Sequence, residues 1–172
     1  MHSTFSAVAN PDYVIPVEID NKVQDVYVRK RPFVDMFMAA VGTKFEVVVF
    51  TASLAKYADP LLDKLDVTKT IRHRLFRESC VPYEGNYVKD LSRLGRPLAS
   101  TIIVDNSPHS YMFQPECAVP ISTFVSEPED RALPELLNQL LSLVDEPDIR
   151  KGIARIIAAM PQGPYGGGGY GY

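Results

Sequence analysis

LASTIIVDNSP, residues 98–108, carries a continuously apolar core that breaks off at Asp105-Asn106-Ser107-Pro108. A strand apolar on both faces is one covered on both faces, which points to an α/β sheet rather than a half-solvated antiparallel one. FEVVVFTAS (45–53) repeats the design, its VVVF running into Thr51-Ala52-Ser53. Helical patterns flank both runs. RPFVDMFMAAVG (31–42) has Pro32 near its start and Gly42 at its stop, with Phe33, Met36, Phe37, Ala40 and Val41 on one predicted buried face. SLAKYADPLLDKLD (53–66) reads as a helix broken or restarted at Pro60, and two acidic amphipathic helices are predicted over 128–143 and 146–159. This alternation predicts one α/β domain with a mostly parallel central sheet.

Two hairpins decorate that sheet. DYVIPVEI (12–19) and QDVYVRK (24–30) pair around Asp20-Asn21-Lys22, with Pro16 assigning the first run to a sheet edge. RHRLFRESCVPYEGNYVK (72–89) reads as a second hairpin turning at Glu84-Gly85-Asn86, with Arg77 and Lys89 on opposite strands. The domain is expected over residues 1–160. Residues 161–172, PQGPYGGGGYGY, have too few apolar side chains to order and are expected to be a disordered tail.

Composition narrows the class. Net charge is −3, which does not suit a general nucleic-acid binder, and no direct nucleic-acid partner is expected. Residues 1–109 carry 14 Lys and Arg against 13 Asp and Glu, and residues 110–172 carry 4 against 8, so the acidity is C-terminal. Cys80 and Cys117 lack metal-ligand spacing and fit a reducing compartment. No apolar run reaches the roughly 18 residues that span a bilayer. A nuclear or cytoplasmic location is expected.

Ligand sites in open α/β sheets form beyond the carboxyl ends of the strands. Asp105 there suits a hard cation such as Mg²⁺, and a hydroxyl of Thr51 or Ser53 suits an anionic oxygen. Lys89 and Arg77 supply positive charge, which completes an inventory for phosphoryl transfer. Each residue has a plainer reading. Thr51 or Ser53 could cap the helix that follows, Asp105 could cap its turn, and Lys89 and Arg77 could be solvated surface. Arg72 and Arg74, alternating with His73, could be the outer face of a strand.

Four blocks in order, YVRKRPFVDMF, FEVVVFTASLAKYADPLLDKLD, RLFRESCVPYEGNYVKDLSRLGR and IIVDNSPHSYMFQPECAVPI, resemble the small C-terminal-domain phosphatases. These form the FCP-type, Dullard-like branch of the haloacid dehalogenase superfamily, and the similarity runs from His2 to about residue 145. The resemblance implies a haloacid dehalogenase-like Rossmannoid α/β domain with β-hairpin inserts. It also implies Mg²⁺-dependent dephosphorylation of phosphoserine or phosphothreonine in proteins, such as the RNA polymerase II C-terminal domain, through an aspartyl-phosphate. Thr51 and Lys89 match phosphate-binding catalytic residues, Asp105 and Asn106 match the metal site, and Arg77 matches an arginine that reaches the substrate phosphate. Phe5, Val17, Ile19, Val26, Leu54 and Tyr57 match an apolar pocket beside the phosphoresidue, although the Val and Ile positions also fit a hairpin core.

The family's defining element is an apolar central strand ending in Asp-x-Asp-x-Thr, shortly before His-Ser. Here His2-Ser3 stand at residues 2–3 and no Asp-x-Asp-x-Thr occurs in the chain. The first Asp of that motif is the nucleophile, and the second is the acid and base. Asp12 and Asp20, the only aspartates before residue 25, follow no apolar strand. The domain is therefore expected to be truncated, without its central first strand. Its neighbours would stand about 9.6 Å apart, two inter-strand spacings, with unpaired edges. Unpartnered buried backbone groups cost ~1–3 kcal/mol each against a domain stability of ~5–15 kcal/mol. The expected outcome is a poorly stable, aggregation-prone and inactive chain. A non-catalytic module that docks phosphopeptides through Arg77, Lys89 and Thr51 is the alternative, and the mitochondrial import-translocase branch is a third reading.

Overall fold

The computed structural model describes residues 1–160. The expected Gly/Tyr tail lies outside the described residues. Short strand pairs surround a cleft, and helices close one side.

β1 (His2–Thr4), β2 (Tyr13–Ile19) and β3 (Lys22–Arg29) form an antiparallel sheet in the order β1-β3-β2. Asp20 and Asn21 both take positive φ, 51° and 60°, the geometry of a tight two-residue turn that follows the strand twist. Pro16 sits on β2, at the sheet edge, as its missing N–H requires. Ile15 and Val17 of β2 and Val26 and Val28 of β3 alternate inward and bury against Leu61.

α1 spans Val34–Val41, three residues shorter at its start than the sequence suggests. Phe33 is its N-cap at φ 65° and lies under the Arg131 guanidinium, 5.4 Å from the ring centre. Phe33 and Met36 are therefore exposed (42% and 46%), against the predicted buried face, and Val34, Phe37 and Val41 pack inward instead. Gly42 ends the helix in ordinary right-handed geometry. Its missing side chain makes room for Thr70, whose methyl a Cβ would strike.

β4 (Val47–Phe50) pairs in parallel with β5 (Ile71–Leu75), and α2 (Ala55–Leu65) lies between them in sequence. α2 runs through Pro60 without a break, correcting the expected interruption; only one N–H is lost in a helix anchored by Ala58, Leu61, Leu62 and Leu65. The second hairpin is smaller than read from sequence. β6 (Val81–Tyr83) pairs with β7 (Asn86–Val88), with Val81 opposite Val88, and Glu84-Gly85 turn at positive φ. Residues 71–75 belong to the parallel ribbon because their backbone pairs with β4, so Arg77 does not stand opposite Lys89 on a hairpin strand.

β8 (Ile103–Asp105) pairs in parallel with β9 (Ala118–Pro120). α3 (Ala132–Leu141) and α4 (Ile149–Ala159) pack on Val119 with α1. Among the described residues no ladder joins β4 to β8. Between them lies an apolar cleft of about 390 Å³, lined by Val47, Val48 and Phe50 on one side and Ile103 and Val104 on the other. β4 is half-buried throughout rather than covered on both faces, because its inner side opens to this cleft. Buried apolar residues gather in three clusters: under the helices, under the first hairpin, and around Leu91, Ile103 and Tyr111.

Arg31 crosses from the end of β3 to the C-terminal third. Its guanidinium donates to both Asp130 oxygens at 2.8 Å and to the Ser122 carbonyl and hydroxyl, and both charged side chains are largely buried. The Arg31 hydrogen bond holds the Asp130 carboxyl below its usual 3.8. That contribution to stability is complete above the ordinary carboxylate range and is lost as pH falls through the lowered folded value. Asp130→Asn is expected to cost about 3 kcal/mol in urea denaturation at pH 7 by leaving Arg31 unpaired, and the deficit should narrow near pH 3.

Candidate functional site

The carboxyl ends of β4 and β8 face each other across the cleft. Thr51 N–H donates to the Leu75 carbonyl at 2.9 Å, extending the parallel pairing one residue past β4. The Thr51 hydroxyl then accepts from Ser53 N–H at 3.0 Å, a side-chain turn that bends the chain before α2. Leu54 is the N-cap of α2 and makes no side-chain cap, so neither Thr51 nor Ser53 caps the helix. Thr51 serves the loop and keeps its hydroxyl proton for another acceptor.

Arg77 opens a short 3₁₀ turn after β5. Its Nε donates to the Ala52 carbonyl at 2.6 Å and its backbone N–H to the Ser53 carbonyl at 3.1 Å, binding it to the loop that carries Thr51. Its guanidinium also lies over the Tyr87 ring, 5.0 Å from the centre. Cys80 fills the space beneath, its thiol 3.8 Å from the Thr51 carbonyl. Burial pushes that thiol up, against the opposing pull of the Lys89 and Arg77 cations. Cys80 thus packs against the loop that carries Thr51.

β7 ends at the fully buried Val88, and Lys89 follows with its N–H on the Ser110 carbonyl at 2.7 Å. The Lys89 ammonium donates to Asp105 Oδ2, each side chain only 10% exposed. Asp105 Oδ1 accepts from Ser107 N–H at 2.8 Å, so the carboxylate caps its turn and holds a buried cation at once. Solvated surface is ruled out for Lys89. The next residues brace the loop: Asp90 caps the turn at Ser92, and Gln114 bonds both Asp90 and Leu91 N–H. Asn106 is exposed and donates its amide to Thr123 at 2.9 Å.

All six pocket candidates, Phe5, Val17, Ile19, Val26, Leu54 and Tyr57, line one cleft of about 310 Å³. Arg77 and Ser53 form its inner wall, so the apolar cleft and the cationic centre are contiguous. Val17 and Val26 are buried and also belong to the hairpin core; the two readings of those positions coexist. Arg74 turns to α2, where Asp59 and Asp63 hold it, so it is not part of a solvated outer face; His73, on the opposite side of the strand, is exposed beside Glu46. Sequence reasoning missed Tyr87, Cys80 and Gln114. Nothing in their local pattern marks them, because their partners stand on other elements.

Among the described residues no group of three or more His, Cys, Asp or Glu side chains is placed to hold a metal. Asp105 is one carboxylate already engaged by Lys89, and Asn106 adds one amide oxygen. On their own these donors do not fit a Mg²⁺ site. Asp12 accepts from Lys30 N–H and Asp20 sits in its turn, so neither brings a carboxylate to this centre.

The parallel ribbons thus carry Thr51, Arg77 and Asp105 at or just beyond their carboxyl ends, and the second hairpin brings Lys89 to Asp105. The sequence profile of the NLI interacting factor-like phosphatases matches residues 1–150, and the chain belongs to that family. It is 59% identical over 150 residues to a probable C-terminal domain small phosphatase of Dictyostelium discoideum, covering 87% of this chain and 49% of that protein. It is 52% identical over 156 residues to the human CTD small phosphatase-like protein, covering 91% and 56%. The fold is similar to that of a fission yeast RNA polymerase II CTD phosphatase, Fcp1, solved with beryllium fluoride. The TM-score is 0.56 at 15% identity, covering 86% of this chain and 43% of that one. The chain spans about half the length of these curated relatives. No described helix is long and apolar enough to cross a membrane.

Because Lys89 and Asp105 are buried together, removing one strands the other. Lys89→Ala is expected to cost about 3 kcal/mol, and adding Asp105→Asn should restore most of it. A thermodynamic cycle from urea denaturation measures the coupling.

Proposed function

We propose that this domain is the phosphate- and peptide-binding part of a protein phosphoserine/phosphothreonine phosphatase. The observation that carries the reading is Arg77, which is bonded to the loop after Thr51, lies over Tyr87 two residues before Lys89, and lines the apolar cleft. The phosphate monoester would take the free guanidinium N–H groups of Arg77, the Thr51 hydroxyl proton, and Lys89 as it turns from Asp105. An apolar side chain flanking the phosphoresidue would enter the cleft between Phe5 and Tyr57. The RNA polymerase II C-terminal domain belongs to this substrate class, as the name of a human relative 55% identical over 148 residues states for that protein.

The chemical step needs a nucleophile and an acid that residues 1–172 do not supply, there being no Asp-x-Asp-x-Thr. In this proposal both carboxylates sit at the end of an extended apolar segment occupying the cleft between β4 and β8, hydrogen-bonded to both edges. One carboxylate would attack phosphorus and the other would protonate the departing serine oxygen. The first would also add the oxygen donor that Asp105 and Asn106 lack for Mg²⁺. With the cleft unfilled, the chain retains phosphopeptide binding without turnover and exposes two strand edges prone to pair with other chains.

The 172-residue chain is expected to hydrolyse neither p-nitrophenyl phosphate nor a phosphoserine peptide, with or without Mg²⁺. Placing an apolar strand ending in Asp-x-Asp-x-Thr ahead of His2 should give Mg²⁺-dependent turnover. Mg²⁺-dependent hydrolysis by the 172-residue chain itself would sink the account of the missing carboxylates. A folded extended chain without turnover would sink the phosphatase reading.

A further inference from the structure

We infer that Tyr87 is a positioning residue: its ring fixes the Arg77 guanidinium for phosphate without consuming the charge. The inference rests on the reading above, in which Arg77 meets the substrate phosphate. Its basis is a contrast among the arginines. Arg31, Arg74, Arg96, Arg150 and Arg155 are each held by a carboxylate, whereas Arg29, Arg72, Arg93 and Arg131 form no such pair among the described residues and Arg131 lies over Phe33. Arg77 likewise meets no carboxylate among the described residues. It is held instead by neutral groups, the Ala52 carbonyl on Nε and the Tyr87 ring 5.0 Å away.

The difference has a direct electrostatic meaning. A carboxylate partner would orient the guanidinium and neutralise it, so an incoming anion would have to compete for it. An aromatic face orients the same group through its quadrupole and leaves the full charge and the terminal N–H donors available. Tyr87 is suited to this because its backbone is fixed. It lies in β7 opposite Pro82, next to the buried Val88, with its side chain 39% exposed. The same strand delivers Lys89 two residues later. One short hairpin therefore supplies both the ring under Arg77 and the buried Lys89.

The test uses the 172-residue chain, titrated with inorganic phosphate and with a short phosphoserine peptide by calorimetry. Tyr87→Leu should weaken binding of the peptide about 5- to 10-fold, in line with a partly desolvated cation–ring contact. Tyr87→Phe should keep wild-type affinity, since the ring and not the hydroxyl carries the role. In an Arg77→Ala background Tyr87→Leu should add nothing. The Arg77 Nε–H resonance should also lose its ring-current shift in Tyr87→Leu and keep it in Tyr87→Phe, a signature that general loosening of the hairpin would not reproduce.

Unchanged binding in Tyr87→Leu while Arg77→Ala weakens it would overturn the positioning role alone. The same holds if Tyr87→Phe loses as much as Tyr87→Leu, or if Tyr87→Leu weakens binding equally without Arg77. Wild-type binding by Arg77→Ala would instead remove Arg77 from the phosphate site, and the inference would fall with the reading beneath it.

Discussion

Among the described residues β4 and β8 each present an inner edge to a cleft rather than to another strand, and the described elements are arranged around that constraint. A parallel ribbon of two strands is marginal by itself, because its backbone bonds are few and its faces need covering. Each ribbon is stabilised from outside. β4 and β5 are joined in sequence by α2, while β9 carries α3, α4 and α1. The consequence is three apolar clusters instead of one. Long-range polar contacts then matter more than they would in a single core. The Arg31 fork to Asp130 and Ser122 is one of them, joining chain segments 91 and 99 residues apart.

The electrostatics of the centre follow from the same geometry. Lys89 is too buried to be left alone, and Asp105, at the end of β8, is the carboxylate within reach. Their pairing satisfies a desolvated cation and ties the second hairpin to the second ribbon. Arg77 and Thr51 are tied by main-chain contacts to the first ribbon. These polar groups thus come from opposite banks of the cleft. Whatever changes the separation of the banks changes the separation of Lys89 from Arg77.

Much of this was legible in the sequence where a residue's role is local. The Asp20-Asn21 turn, the edge position of Pro16 and the polar ends of the two apolar runs follow from backbone preference and strand alternation. The six pocket residues were legible only through likeness to a family, since Phe5 and Val26 share no periodic pattern. Errors arose where distant partners decide. Residues 72–75 alternate as a hairpin strand would, yet their backbone finds β4. Phe33 has helical spacing, yet Arg131 draws its ring outward. Pro60 predicts a break by local rules, but four buried residues of α2 hold the helix through it.

The cleft beside the first hairpin divides into a floor and a rim. Val17 and Val26 form the floor and also hold the first hairpin to α2, whereas Phe5 and Leu54 stand at the rim, exposed and outside that core. Changes at the floor are therefore penalised twice, in fit and in folding, and changes at the rim only once. Substitution is therefore freer at positions 5 and 54 than at 17 and 26, which the scaffold constrains. A cleft built this way can change its mouth while its depth stays fixed.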